Sequence, residues 1–255
     1  MANIYEIQSF LKELLDPDNI SDHGLNGIQV ENDGSNIKKI AFAVDASIAS
    51  IEQVILNECN LLIVHHGFYW GKPQPIIGTF KNRIKILLEN NIGVIAYHLP
   101  LDAHPEYGNN IIILKTILKS LPGLSPFGLY HNNYIGWQVS LNKPIFIEEI
   151  FNKLNLSKND NTIRYLPFGN KKIIKIAVVS GGGSFCINEA IDNKIDVLIT
   201  GDSDHTVYHI AKENKINILF AGHYFTETFG IKAIQNIIEN KFNTQTYFID
   251  IPTGL

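Results

Sequence analysis

The sequence predicts an α/β protein made of two related β-α-β lobes with mostly parallel or mixed sheets. Three observations carry that expectation. Short runs that are apolar throughout alternate with segments whose apolar residues recur at helical spacing, the pattern of a parallel sheet covered on both faces. Each run finishes in polar residues or glycine. The same rhythm returns in the second half, with 21 residues from Asp45 to His66 and 22 from Ser180 to Asp202. That recurrence reads as an internal repeat.

In chain order, Ile4, Ile7, Phe10, Leu11 and Leu14 share one helical face, and Pro17 follows a helix over 4–15. The first strand, 40–44, ends at Asp45. A helix over 47–60 presents Ile48, Ile51, Val54 and Ile55 together, and the second strand, 61–64, ends at His65-His66-Gly67. A loop rich in proline and aromatic residues, 67–79, and a helix over 81–91 precede the third strand, 94–97, which ends at His98. Another helix is expected near 109–120. Residues 121–130 are rich in proline and glycine and mark the expected boundary, with a first lobe over 1–124 and a second over 125–243. The second lobe opens with a strand over 134–141, a helix over 145–154 and a strand over 162–166. Strands at 173–179, 197–200 and 218–221 follow, separated by helices at 185–194 and 205–215. The tail, 244–251, alternates as a last strand, and with it residues 244–255 could rejoin the first lobe.

Composition bounds the function. The chain has 255 residues, 45% hydrophobic and 18% charged, with a net charge of -4. A nearly neutral, mildly acidic protein is not built to neutralise many phosphates, so nucleic acid is not an expected partner. Cys59 and Cys186 lie far apart and in no CxxC spacing, which argues against a disulfide framework or a thiolate zinc site and fits a reducing compartment. The first residues lack the basic start and apolar run of a signal peptide, and no apolar stretch is long enough to span a bilayer. The expected location is cytoplasmic, with no membrane partner.

Ligands of open parallel sheets bind beyond the carboxyl ends of the strands. Those ends carry Asp45, His65-His66, His98, Ser180-Gly181-Gly182-Gly183, Asp202 and His223. His65 and His66 leave a strand on opposite sides, so each could reach one of two neighbouring ions; alternatively, one is buried and hydrogen-bonded while the other is exposed. Asp102 follows a strand and a proline turn, a loop position from which a carboxylate can bridge two cations; it could also cap the next helix. His223 and Glu227, four apart at the start of a helix, share one face and can serve one site; Glu227 could instead simply favour the helix dipole. Nitrogen and oxygen donors without sulfur suit Zn, Mn, Fe, Co or Ni. His104, followed by Pro105, reads as a solvated turn residue. The Ser180 to Gly183 turn is a candidate anion site, although a tight turn that needs glycine explains it as well. Asp45, Asp202, His98 and His205 are candidates for orienting the ligands, and Asp202 or His98 for carrying a proton.

Together these residues resemble the NIF-three-like family, also labelled GTP cyclohydrolase one, type two homologues. The resemblance rests on Asn26-Gly27-Ile28-Gln29-Val30, Val44-Asp45, His65-His66-Gly67, the run from Tyr97 to Glu106, and Gly108-Asn109-Asn110. It continues through Ser180 to Gly183, Thr200-Gly201-Asp202, Gly222-His223-Tyr224 and Thr226-Glu227. It implies two divalent metal ions held by His65, His66, Asp102, His223 and Glu227 in a cleft between the lobes. It also implies a homohexameric ring whose metal sites face an internal cavity, and a short form lacking the domain that longer relatives carry. Asp202 stands where many relatives have Glu. The implied function is a metal-dependent hydrolase, cyclohydrolase-like by family label, acting on a nucleotide or phosphorylated small molecule. The alternative is a metal-binding scaffold or regulatory partner without turnover.

Overall fold

Asn3 sets the first element. Its side-chain oxygen accepts from the backbone N–H groups of Tyr5 and Glu6, while Glu6 reaches back to the Asn3 N–H. This capping box opens α1 (Ile4–Leu15), whose Ile4, Ile7, Leu11 and Leu15 are buried. The structure, a computed structural model, describes residues 2–157 and 160–255. After α1 come β1 (Gly27–Val30), β2 (Lys39–Asp45), α2 (Ile48–Leu56), β3 (Leu61–His66), α3 (Gly78–Glu89), β4 (Gly93–Ala96), α4 (Leu99–Ala103) and α5 (Asn109–Ile117). Then follow β5 (Ser125–Tyr130), β6 (Asn133–Phe146), α6 (Ile147–Lys153), β7 (Arg164–Pro167), β8 (Lys172–Val179), α7 (Ile187–Asp192) and β9 (Val197–Thr200). The last elements are α8 (Val207–Glu213), β10 (Asn217–Phe220), α9 (His223–Phe242) and β11 (Gln245–Phe248).

The chain divides into two compact units, one running to Leu101 and including Ile231–Ile251, the other comprising Asp102–Gly230 and Pro252–Leu255. Residues 121–130 therefore lie inside the second unit, where they contain β5. In the first unit the sheet order is β1-β4-β3-β2-β11. The strands β11, β2, β3 and β4 are parallel, and β1 closes the sheet antiparallel to β4. The tail thus joins the first sheet, through β11. Leu62, Val64, Val94 and Ala96 pack with Ile51, Val54, Phe80 and Leu87 in one core. Elsewhere in this unit Phe10 of α1 meets Phe242 of α9 edge to face at 5.7 Å.

In the second unit the order is β5-β6-β8-β9-β10-β7. Here β8, β9 and β10 are parallel, β7 runs antiparallel to β10, and β6 antiparallel to β8. Its core joins Ile113, Leu114 and Ile117 of α5 and Ile147, Ile150 and Phe151 of α6 to Ile176, Val178, Val197, Ile199 and Leu219.

The repeat expected from spacing is present down to single hydrogen bonds. Ile40 pairs with Leu61 and Ile176 with Val197, in both cases 21 residues apart. Asn60 Oδ1 accepts from the N–H groups of Lys38 and Lys39, and Asp196 Oδ2 accepts from those of Ile174 and Lys175. The ammonium of Lys39 donates to the Asn57 carbonyl, and that of Lys175 to the Asn193 carbonyl. Helices α2, α3, α7 and α8 all finish on a left-handed residue, Glu58, Asn91, Lys194 and Lys215, with φ between 53° and 56°. The N–H of the residue after each reaches back to the helix, Cys59 to Val54, Ile92 to Leu87, Ile195 to Ala190 and Ile216 to Ala211, the Schellman closure.

Strands β1 and β5 escape the pattern reading. The first has only four residues, and the second carries Pro126 and Gly128, which read as turn. Both lie at sheet edges, where proline is tolerated.

Candidate metal centre

In the first unit the last two residues of β3 are His65 and His66. Their backbones continue a buried parallel strand, and their rings turn toward acceptors on the two flanking strands. His65, fully buried, places Nδ1 3.0 Å from the Tyr97 carbonyl just beyond β4. His66 places Nδ1 2.8 Å from Oδ1 of Asp45, the last residue of β2. His98, after β4, places Nδ1 2.8 Å from Asp22 Oδ1. A carbonyl or carboxylate oxygen only accepts, so each bond assigns the proton to Nδ1. The nitrogens these three side chains offer lie within 4.8 Å of one another. The rings of His65 and His66 are 4.7 Å apart, and each also neighbours His98, at 5.1 and 5.6 Å. The two imidazoles therefore turn to a common neighbour rather than only diverging.

Asp22 is fixed in turn. Its Oδ1 accepts the Gly24 N–H, and its Oδ2 accepts from the Asn26 amide and the Leu99 N–H. Asn26 Oδ1 accepts the N–H of His98. Burial works against the Asp22 charge, but the bond to His98, its charge and the Asn26 and Gly24 donors outweigh it and hold the carboxyl at about 2.

In the second unit Asp102 lies in the short helix α4, not in a loop, and is 4% exposed. Its Oδ1 accepts from the Asn109 amide and the Ser180 hydroxyl, each at 2.8 Å. Asn109, whose own Oδ1 accepts the Gly230 N–H, is fully buried. Asn110 donates to the Ile135 and Asp102 carbonyls and accepts the Ser180 N–H. His223 begins α9, and Glu227, 3% exposed, follows one turn later with Oε1 3.1 Å from His223 Nε2. Asp202 Oδ2 holds His223 Nδ1 at 2.9 Å. The bond to Glu227, opposed by burial and helped by the charges of Glu227 and Asp202, raises the imidazole to about 9.

The turn after β8 explains its glycines. Gly181 has φ +57°, and a Cβ there would run into Glu227 Oε1 and stand 3.1 Å from His223 Nε2. The backbone N–H of Ser180 goes to Asn110, that of Gly181 to Thr226 Oγ1 and that of Gly183 to Thr200 Oγ1. These three groups are used inside the fold, and Gly181 clears room beside His223 and Glu227. His104 accepts the Glu106 and Tyr107 N–H groups at Nδ1, as a turn residue does. His205 is exposed ahead of α8.

The donor set fits a divalent ion. The first unit offers His65, His66 and His98, and the second offers His223 with the buried carboxylates Asp102 and Glu227, each imidazole oriented through Nδ1. Sulfur takes no part: both cysteines are free and buried, and burial pushes the Cys59 thiol up to about 11 and the Cys186 thiol further.

A sequence profile of the family described as Duf34/NIF3 (NGG1p interacting factor 3) matches residues 2–253. The chain belongs to this family. An Archaeoglobus fulgidus protein named GTP cyclohydrolase 1 type 2 homolog is 41% identical over 256 residues, covering 99% of this chain and 100% of its own. A Pyrococcus horikoshii protein of the same name is 42% identical over 250 residues, covering 98% of each. A crystal structure of a Thermus thermophilus protein superposes with a TM-score of 0.86 at 32% identity, over 99% of this chain and 100% of its own.

Within this NIF3-family fold, Asp22 and Trp70 went unnoticed in the sequence, and Asn26, Asn109 and Asn110 were seen only as motif letters. Asp22 lies 76 residues from the imidazole it holds, and no local spacing signals such a pair. Trp70 stands edge-on to His98 at 4.9 Å. The cue at hand was Asp22-His23-Gly24, where an Asp side chain accepts the N–H two residues on and fixes a turn. Among the described residues no helix is long and apolar enough to cross a membrane.

Proposed function

We propose that this chain binds two divalent metal ions through His65, His66, Asp102, His223 and Glu227 and uses them for hydrolysis. The observation that carries the reading is the shared treatment of the imidazoles. His65, His66 and His223 each have Nδ1 tied to an oxygen, by Tyr97, Asp45 and Asp202, which is how metal-binding histidines are oriented. The ligands come from both units, so the proposal requires the two to share the ions. Zn, Fe, Mn, Co and Ni all suit such donors.

Bound divalent cations would supply Lewis acidity, acidifying water and offsetting negative charge that develops on a substrate oxygen. The chain supplies the rest. Asp102 and Glu227 bring negative charge, and Ser180 and Asn109 fix the Asp102 carboxylate. Asp45 and Asp202 set ring orientation. Asp202, with a side chain 45% exposed, is within reach of solvent and is assigned the proton removed from water. The name carried by the relatives points to a guanine nucleotide as substrate; a nucleotide or another phosphoester is the class to screen, and a homohexameric ring is the proposed assembly.

A second reading, a metal-binding scaffold without turnover, is favoured by one observation. The Ser180, Gly181 and Gly183 N–H groups are occupied, so no phosphate cradle is formed by them. Metals per chain, measured by elemental analysis on untagged protein, test the core of the proposal. About two ions are expected, with loss in His65→Ala and in Glu227→Gln; no stoichiometric metal after anaerobic reconstitution with Fe, Mn, Co, Ni and Zn would overturn it. Hydrolysis of nucleotides or phosphoesters by the loaded protein separates enzyme from scaffold, and a monomer mass in sedimentation would remove the ring.

A further inference from the structure

A single exposed aromatic residue is ordinary on a protein surface, and Tyr5 is one. Trp70 differs in where it stands and in how it is held. Its side chain is 43% exposed, yet its indole lies 4.9 Å from the ring of His98 and 5.8 Å from that of His66. The segment that carries it is anchored. Phe68 and Tyr69 pack on Phe80 at 5.9 and 5.5 Å, the Phe68 N–H donates to Gln29, and the Tyr69 carbonyl accepts the Leu25 N–H. Trp70 itself forms an antiparallel bridge with Gly24. The Lys72 N–H closes a tight turn on the Trp70 carbonyl at 2.7 Å, through Gly71 with φ +67°. A Cβ on Gly24 would stand 3.3 Å from His98 Cβ and 3.5 Å from Trp70 Cζ3, so the backbone fits close beside both side chains. These anchors run through backbone groups and neighbouring rings, and a small polar residue at position 70 would keep them. The indole adds apolar surface that water reaches, fixed beside a proposed metal ligand.

We infer that Trp70 is the platform on which a heteroaromatic base of the substrate stacks, so that the substrate is a nucleotide or nucleoside and not a base-free phosphoester. The inference rests on the proposed metal site for its location, and it narrows the substrate class left open there. An indole offers a ligand a flat apolar face and a negative quadrupole. A planar base covers that face and gains stacking, whereas a sugar or phosphate gains little from it. A cation would also suit the quadrupole, but divalent ions held by the neighbouring His66 would repel it. Because every base has a flat face, Trp70 separates base-bearing from base-free ligands and does not choose guanine over adenine.

The test is ligand binding by the full-length, metal-reconstituted protein, read by calorimetry and by tryptophan emission. The chain has two tryptophans, so Trp137→Phe leaves Trp70 as the only reporter. Guanosine and adenosine monophosphate are compared with ribose 5-phosphate and inorganic phosphate, on wild type, Trp70→Phe and Trp70→Ala. Bound metal per chain and thermal unfolding are measured on each. We expect both mononucleotides to quench Trp70 emission, and Trp70→Ala to weaken their binding roughly 5- to 150-fold. Trp70→Phe should keep most of the affinity, ribose 5-phosphate should be indifferent to either substitution, and bound metal should not change. Mononucleotide affinity that survives Trp70→Ala would overturn the inference, as would metal-loaded wild type that binds no mononucleotide. A Trp70→Ala variant that loses its metal together with the nucleotide would overturn it too, by making the indole a support of the metal site. Emission that responds to dilution of the protein and to no nucleotide would instead give Trp70 to a contact between copies of the chain. Wild type without stoichiometric metal would sink the five-ligand reading; in that protein, Trp70-dependent nucleotide affinity would still sustain this inference, and its absence would end both.

Discussion

The two units share three central parallel strands, β2-β3-β4 and β8-β9-β10, in the same order and register but place different chemistry at matching points. Asp45 pairs with His66 in the first sheet, and the Ile176–Val197 pairing carried forward sets Gly181 against Asp202 in the second. The position that presents an imidazole in one unit therefore presents a carboxylate in the other. The position that orients that imidazole, Asp45, becomes a glycine that makes room. Orientation passes to Asp202 itself, which holds His223. The repeat supplies a scaffold with a fixed set of places, and the roles of ligand, orienter and spacer are dealt among them independently.

The most severe way to break this comparison is to exchange spacer for side chain. Gly181→Ala forces a left-handed Cβ, costing about 1–2 kcal/mol from the backbone alone, and drives it against Glu227 and His223. A depressed melting temperature together with lost metal is expected. Asp45→Ala, the counterpart, should unfold close to wild type while binding metal roughly 10- to 100-fold more weakly. Equal melting temperatures for the two variants would refute the assignment of Gly181 as a spacer.

A second contrast is between orienting carboxylates. The Asp22 side chain is 3% exposed and that of Asp202 45%. The Asp22 carboxyl falls from 3.8 to about 2 on folding. A lowered carboxyl stabilises the fold above its unfolded pKa, and that contribution disappears as pH falls from near 4 toward 2. In metal-free protein, urea unfolding at a series of pH values should show about 2 kcal/mol lost across that window through Asp22, and Asp22→Asn should flatten the dependence by that amount.

Smaller still is the difference between the strand-end anchors. Asp196 accepts two N–H bonds at 2.8 and 2.9 Å, and Asn60 accepts its pair at 2.9 and 3.4 Å. Bonds to a charged acceptor are stronger, so Asp196→Ala should cost about 2 kcal/mol in denaturant titration and Asn60→Ala about 1 kcal/mol. The reverse order would show that the two anchors are not equivalent. Last, His104→Ala should change bound metal not at all; a lost ion would bring this turn residue into the site.

The six parallel strands β2, β3, β4, β8, β9 and β10 were legible in the sequence, because their buried stretches need no alternation and stand out between polar ends. So were His65, His66, His98, His223 and Asp202, since a parallel sheet exposes the same end of each strand. What lay hidden is what depends on distant partners. The bonds from Asp22 to His98 and from Asn109 to Gly230 span 76 and 121 residues. The glycine turn misled for another reason: a run of glycines reads alike whether its N–H groups face a ligand or the fold's own side chains.

The four left-handed helix ends have a consequence outside the metal site. At Lys194 and Lys215 a long side chain sits on backbone with φ near +55°, in exposed places where glycine would relieve roughly 1 kcal/mol of strain apiece. The fold thus holds thermal tolerance in reserve, at positions far in sequence from His65, His66 and Asp102, and a heat-hardened variant could draw on it without altering a single coordinating side chain.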